Sequence, residues 1–147
     1  MMRLIKTLPR VIRDNVIVWG ALWAFFLWHY QMPVAVFMQA HDWSVTPGSV
    51  RAVVSGIKVR SCEFIKGSEA GYAKFWGGWQ ETRFMFGDDP SPGSTRPKGV
   101  QSFGVWVWFH PESELPSQVK ITVKHICSGT TIVSEQGPFD VPKGLSP

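Results

Sequence analysis

The first forty residues contain the longest uncharged stretch of the chain. From Asn15 to Ala40 there is no Asp, Glu, Lys or Arg, and most positions are apolar. A helix rises about 1.5 Å per residue, so roughly 20 apolar residues cross the hydrocarbon core of a bilayer. Asn15 to Val34 meets that length, and Pro33 is expected to kink the helix. The pattern therefore predicts one transmembrane anchor over residues 15–40.

A basic flank, residues 1–14, precedes this anchor. Its cationic side chains are Arg3, Lys6, Arg10 and Arg13. Because Lys and Arg are enriched on the cytoplasmic side of membrane segments, we expect the N-terminus inside and the C-terminal domain outside, on a periplasmic, extracellular or virion-exterior side. The spacing also fits an amphipathic helix whose basic face lies on the inner leaflet, and a partly disordered flank is the alternative.

A cleaved signal peptide is the competing interpretation of the same segment. Signal peptides also place a basic region before an apolar run. The apolar run here is longer than theirs, and Met38 and Ala40 make a poor small-x-small cleavage site. These two features favour an uncleaved anchor.

The anchor carries two helical stripes. The aromatic stripe comprises Trp19, Trp23, Phe26 and Tyr30, spaced by four, three and four residues. Gly20 and Ala24 form a small-xxx-small pair that would let another helix approach closely. Lipid contact and an interfacial aromatic belt are the alternative explanation.

Beyond the anchor the pattern is that of short strands. Residues 41–49 are predicted to be a connector that ends in Pro47-Gly48 turn chemistry, and a β domain is predicted over 50–141, followed by a tail over 142–147. Gly77-Gly78 between two apolar runs predicts a tight hairpin. Residues 87–99 are rich in Pro and Gly and predict a long loop.

Two segments alternate between apolar and other residues with period two. In the first, Val100 to His110, the alternation predicts Phe103, Val105, Val107 and Phe109 inward. Trp106 and Trp108 then share the outer face and form a candidate interaction patch. In the second, Gln118 to Cys127, the inward residues are expected to be Val119, Ile121, Val123 and Cys127.

Cys62 and Cys127 are the two cysteines of the chain. Both fall on predicted strands in the part that we place outside the cytoplasm, where an even number of cysteines indicates a disulfide. Two free buried thiols are the alternative. A redox-active pair is disfavoured because the spacing is unlike C-x-x-C.

Cys62, Trp76 and Cys127, with strands about ten residues apart, resemble the immunoglobulin fold. The resemblance covers Val50 to Val141 and implies a β-sandwich whose cysteines bridge the two sheets while the tryptophan packs on the bridge. The family's tyrosine two residues before the second cysteine is replaced by His125. The predicted fold class is thus mainly β: a single N-terminal transmembrane helix followed by a small disulfide-stapled β-sandwich of immunoglobulin-like architecture.

The sequence offers little chemistry. It has no H-E-x-x-H, G-x-S-x-G or P-loop motif, and its histidines are scattered singly. Residues 1–14 carry three of the four net positive charges, and the part after the anchor is nearly neutral. A general nucleic-acid surface is therefore not indicated. We predict no catalytic residue, no metal site, no cofactor and no small-molecule substrate.

These features predict a non-enzymatic single-pass membrane protein. Its partners would be membrane lipid and other protein subunits of a large membrane-bounded assembly, such as a virion (phage) membrane or a cell-envelope complex. Two alternatives remain. The chain could display a binding module that recognises a receptor or ligand through the 87–99 loop, or it could be an accessory subunit of a bacterial membrane enzyme complex.

Overall fold

A computed structural model describes residues 10–31, 33–87 and 96–145. The chain divides after Met32 into a helical unit and a β unit. The elements are α1 (Arg10–Gln31), β1 (Ala35–Thr46), β2 (Ser49–Lys58), β3 (Glu63–Phe64), β4 (Ala70–Phe75), β5 (Gly78–Thr82), β6 (Phe84–Phe86), β7 (Gly99–Phe109), β8 (Gln118–Cys127) and β9 (Thr130–Asp140).

Helix α1 is 22 residues long and begins inside the basic flank rather than at Asn15. It ends before Pro33, whose ring would clash with the preceding turn of a continuing helix. Ten large apolar side chains of α1 are exposed: Ile12, Val16, Ile17, Val18, Trp19, Leu22, Trp23, Phe25, Phe26 and Leu27. Across the described ranges, no helix combines the length and the apolarity that a bilayer crossing needs.

Strand β1 corrects two predicted boundaries. Residues 35–40 were predicted to be the end of the anchor and residues 41–49 a connector, but most of this stretch is one strand paired antiparallel with β2. Pro47-Gly48 closes the hairpin between Thr46 and Ser49, with Gly48 at positive φ. The strand forms because its apolar side chains pack on the core of the β unit. The β domain therefore begins well before Val50.

The β unit contains two antiparallel sheets. The first has the strand order β1-β2-β7-β6. In the second, β8 is central: β9 pairs with β8, β4 and β3 also pair with β8, and β5 pairs with β4. The chain passes from the second sheet to the first at Arg83, between β5 and β6. The predicted mainly-β fold is confirmed.

The tight hairpin at Gly77 is confirmed, and its turn is shifted by one residue. Phe75 pairs with Gly78, so Trp76 and Gly77 form the two-residue turn. Gly78 has a φ of 110°, which glycine adopts without a Cβ penalty. The predicted inward residues of β8, with Val119 and Ile121 as examples, are also confirmed as buried.

The orientation predicted for the tryptophans of β7 is wrong. Trp106 is 3% exposed and Trp108 is 0% exposed, so neither forms a surface patch. Between two pairings with β2, β7 advances three residues while β2 advances two, and Gly104 lies in this bulge at positive φ. An extra residue reverses the alternation of the strand. The two indoles therefore point into the core, on the same side as Phe103.

The large core cluster is aromatic. Trp108 stacks on Trp43, with ring centroids 6.4 Å apart, and its other ring neighbours are Phe84, Trp106 and Phe139. The Trp108 Nε1–H donates to the carbonyl of Lys120. A second, smaller cluster contains Val34, Cys62, Cys127 and Ile132.

Candidate functional site

The predicted disulfide between Cys62 and Cys127 is present, and both cysteines are buried. Its position differs from the immunoglobulin pattern. Glu63 pairs with Ile126, so the register sets Cys62 opposite Cys127 on neighbouring strands of one sheet, with the Cα atoms 4.6 Å apart. The expectation that the bridge joins two sheets is therefore wrong. Trp76 does not pack on the bridge, because it is fully exposed in the hairpin turn.

The predicted anchor residues lie on α1 in part. Trp19, Trp23 and Phe26 are exposed, and the Trp23 and Phe26 rings form an edge-to-face pair 6.0 Å apart. A Cβ added to Gly20 would meet no atom within 4 Å, so this face of the helix is open. Ala24 is exposed as well.

Several predicted positions lie outside what the structure describes. Arg3, Lys6 and most of the 87–99 loop belong to segments that are not described. The backbones of Arg10, Arg13 and Tyr30 lie in α1, while the placement of their side chains is outside the description. The predictions that rest on these side chains therefore stay predictions.

A cavity of about 80 Å³ lies between the two sheets of the β unit. The first sheet contributes residues from β1, β2, β6 and β7, and the second sheet contributes residues from β3, β8 and β9. Its apolar lining includes Met38, Phe64, Phe86, Phe103, Ile121 and Val123. Its polar lining consists of Lys58, Arg96, His125 and Gln136.

Lys58 is the unusual residue of this cavity. It is 6% exposed, and among the residues that the structure describes no acceptor forms a hydrogen bond or ion pair with its ammonium group. Burial lowers the pKa of Lys58, and the nearby Arg96 guanidinium lowers it further. Arg96 is positioned by a hydrogen bond to the carbonyl of Ser102, and its guanidinium lies 5.6 Å from the centre of the Phe103 ring. The described lining of the cavity thus carries two cations and no carboxylate.

His125 lines the same cavity from β8. Burial lowers the pKa of His125 to about 4, with a further contribution from the Lys58 charge. Its Nδ1 lies 3.4 Å from the Ser134 Oγ, and its ring lies edge-to-face with Phe64. The imidazole is therefore neutral at neutral pH and adds hydrogen-bonding capacity to the cavity without adding charge.

Among the described residues, the other polar groups do not form a reactive arrangement. His41 and Asp42 contact each other at 2.9 Å, but they are adjacent, exposed residues on β1. The His110 Nδ1 lies 2.7 Å from the Pro111 carbonyl, and the Nε2 atom of that ring is buried and has no hydrogen-bond partner among the described residues. Within the described ranges, no three His, Cys, Asp or Glu side chains converge as metal ligands would.

The cavity residues were missed in the sequence, although a signal for them exists. Lys58 continues the period-two series of buried positions that starts at Val50 in β2, and His125 lies between the buried residues Val123 and Cys127 in β8. Reading these series to their ends would have placed one Lys and one His on inward faces. Their convergence depends on the pairing of distant strands, which no local pattern reveals.

Comparisons with protein-family models, with curated proteins and with solved structures found no match to this chain. The class that the observations define is therefore a small, disulfide-bonded protein of two antiparallel sheets, preceded by an apolar helix.

Proposed function

We propose that this chain is a non-enzymatic structural component of a membrane-bounded assembly, in which α1 is embedded in lipid and the β unit makes contacts with other subunits. The observation that carries the proposal is the exposure of ten large apolar side chains along α1. Val16, Ile17, Val18 and Trp19 are consecutive, so the apolar surface surrounds the helix instead of forming one stripe. Helices of this kind are covered by lipid or by protein.

The energetic cost of leaving this surface in water supports the proposal. Burying an aliphatic or aromatic side chain of this size contributes about 1.5–3 kcal/mol. With the ten side chains roughly half exposed, on the order of 10 kcal/mol would be gained by covering them. That figure is as large as the whole stability of many domains, so a helix of this composition is expected to be covered.

The disulfide bears on the compartment of the β unit. Bonds such as Cys62–Cys127 persist in oxidising compartments and are rare in the cytosol. The orientation expected from the basic flank, with the N-terminus inside and the β unit outside, agrees with such a compartment. A thiol-reactive probe, or a protease added to sealed vesicles, would test on which side the β unit lies.

Flotation with vesicles tests the lipid contact. The full chain, purified in a non-ionic detergent, is mixed with phosphatidylcholine and phosphatidylglycerol, freed of detergent, and centrifuged through a density gradient. We expect the protein to float with the vesicles and to resist extraction at alkaline pH. A charged residue at the centre of a membrane helix costs about 2.5–3.5 kcal/mol, so Val18→Glu with Leu22→Glu should release the protein.

The matched control places the same charges on exposed apolar positions of the β unit. Trp76 and Val133 are 100% and 62% exposed, and Trp76→Glu with Val133→Glu should leave flotation unchanged. A wild-type chain that stays at the bottom of the gradient would show that lipid does not cover α1. Equal flotation of both double variants would show that α1 is not the lipid-binding element.

The kind of assembly is tested on the native source without detergent. If the chain sediments with a dense particle that contains nucleic acid, and leaves it only when detergent is added, the assembly is a lipid-containing virion. If it floats with ordinary membrane vesicles, the assembly belongs to a cell envelope. A chain that behaves as a small soluble protein in this gradient would contradict the proposed function.

Protein contact along α1 is the second candidate, and the open face at Gly20 favours it. A helix of a partner subunit could approach Gly20 and Ala24 closely, as in an accessory subunit of a membrane complex. Gly20→Leu with Ala24→Leu should then reduce co-purification of partner subunits while flotation is retained. Unchanged co-purification would indicate that lipid covers this face.

A further inference from the structure

The cavity between the two sheets is lined by a primary amine, that of Lys58. This residue is 6% exposed, and no described residue forms an ion pair or a hydrogen bond with its amino group. Lys58 ends the period-two series of buried positions that begins at Val50 in β2, so its side chain lies between the sheets. Aromatic and aliphatic side chains, with Phe103 and Val123 as examples, line the same cavity.

This environment favours the neutral form of the amine. An ammonium group loses its hydration when it is buried, and the described lining of the cavity offers no carboxylate that would hold the proton. Burial lowers the pKa of Lys58, and the charge of Arg96 lowers it further. His125, the other titratable group of the described lining, is a neutral imidazole at neutral pH. A neutral lysine has a free electron pair and is a nucleophile toward carbonyl carbons, whereas an ammonium group is not.

The remaining lining selects an apolar reaction partner. An apolar tail would be buried against the aromatic side chains, whereas a tail with hydroxyl groups would lose hydration there without compensation. Phe64 and Phe103 are only partly buried, so the cavity reaches the surface and can be entered. Exclusion of water by a bound tail would also protect a C=N bond from hydrolysis.

We propose that Lys58 is a covalent binding site for an apolar aldehyde, which it holds between the two sheets as an imine. The electron pair of Nζ forms a bond to the carbonyl carbon, and the π electrons of the carbonyl group pass to its oxygen. The oxygen then leaves as water with the two hydrogens of the neutral amine, and a C=N double bond remains. The cavity belongs to the β unit, so the proposal does not depend on whether lipid covers α1.

Reductive trapping on the full chain in a non-ionic detergent tests the site. Butanal is added in limiting amount near neutral pH with cyanoborohydride, which reduces an imine to a stable secondary amine, and mass spectrometry of a digest locates the butyl group. We expect Lys58 to be labelled several-fold faster than Lys124, an exposed lysine on β8. Labelling of Lys58 no faster than that of Lys124 would overturn the proposal.

Matched aldehydes test whether the reaction takes place in the apolar cavity. The labelling ratio of Lys58 to Lys124 is compared between aldehydes, because the ratio cancels the intrinsic reactivity of each reagent. Propanal has one methylene more than acetaldehyde and should raise the ratio about fourfold. Glyceraldehyde has the same three-carbon chain with two hydroxyl groups and should give a lower ratio than propanal. An equal ratio for all three aldehydes would overturn the proposal.

Lys58→Arg tests the residue, because arginine keeps a long cationic side chain but stays protonated. The fast labelling by butanal should be lost in this variant. The matched control is Lys124→Arg, in which the fast labelling should be retained. If the fast labelling persists in Lys58→Arg, another amine is responsible and the proposal fails.

A measurement on the wild-type chain decides the question even if Lys58→Arg does not fold. In guanidinium chloride with the disulfide reduced, the two sheets separate and the cavity is lost. The preference for Lys58 over Lys124 should then disappear, since both amines are fully hydrated in the unfolded chain. A preference that survives unfolding would come from the neighbouring sequence and would overturn the proposal.

Discussion

Trp108 allows a direct test of whether the tryptophan side chains of β7 point into the core. Its side chain is fully buried, and its ring centroid lies 5.4 Å from that of Phe84 and 6.4 Å from that of Trp43. Truncating a buried tryptophan to alanine costs about 3–5 kcal/mol through lost apolar burial and the cavity left behind. We expect Trp108→Ala to reduce the free energy of unfolding by about 4 kcal/mol.

The assay is urea unfolding of the full chain in a non-ionic detergent, followed by far-UV circular dichroism. With a slope of about 2 kcal/mol per molar urea, the midpoint should fall by about 2 M. The matched control is Trp76→Ala, which removes the same side chain from a fully exposed position. Surface truncations usually change stability by less than about 0.5 kcal/mol, so its midpoint should hardly move.

A loss of this size is a large part of the stability of a small domain, so Trp108→Phe provides a graded variant. Phenylalanine keeps one ring of the aromatic cluster, and we expect it to cost about 2 kcal/mol. The inward orientation of the Trp108 side chain would be refuted if the Trp108 variants were no less stable than Trp76→Ala. In that case the bulge at Gly104 would not reverse the strand.

Three further predictions concern the second sheet and its contacts. Cys62→Ser with Cys127→Ser should lower the free energy of unfolding by about 4 kcal/mol, because the bridge closes a loop with a sequence separation of 65. The wild type under reducing conditions should show the same loss in urea unfolding. Gly71→Ala should lower the free energy of unfolding by about 1–3 kcal/mol in the same assay, since the added Cβ would lie 2.5 Å from the Cβ of Phe84. The control is Gly67→Ala, which has open space around it and reports only the cost of positive φ. His125 has a folded-state pKa of about 4, below its unfolded value of about 6.5. The unfolded chain therefore takes up a proton at this residue before the folded chain does as the pH falls. The free energy of unfolding should decrease by about 1–2 kcal/mol between about pH 7 and 5. His125→Gln should lack this part of the pH dependence, and an identical dependence in both proteins would contradict the assignment.

The elements that were predictable from the sequence are those with an uninterrupted local pattern. β8 alternates regularly from Gln118 to Cys127, and its inward residues are buried as expected. The hairpin at Gly77 follows from glycine between two apolar runs. The disulfide follows from the number of cysteines and the expected compartment, since it needs no knowledge of strand order.

The missed elements are those where a bulge breaks the pattern. β1 has register irregularities after Val36 and after His41, and Phe37 and Asp42 there have positive φ. These breaks hide the alternation of β1, and its first residues, 35–40, are uncharged and follow the helix closely, so they resembled a continuation of the membrane anchor. In β7 the bulge at Gly104 reverses the alternation between Phe103 and Trp106. A bulge depends on the pairing with the neighbouring strand, and a single strand's sequence does not specify it.

Lys58 is difficult to explain by stability alone. The buried Lys58 ammonium group loses hydration and has no ion-pair partner among the described residues, so an apolar side chain of similar length should be better tolerated. We expect Lys58→Met to raise the free energy of unfolding by about 1 kcal/mol or more. It should also raise the pKa of His125, because the Lys58 charge is one of the two causes that lower it, and the histidine ring signals in NMR would report this change. Lys74→Met is the control, since this lysine contacts Gln118 at 3.4 Å and does not line the cavity. A protein that becomes more stable when Lys58 is replaced retains the lysine at a cost in stability. If Lys58→Met is instead less stable while the pKa of His125 is unchanged, the Lys58 ammonium group does not lie near His125 as the structure places it.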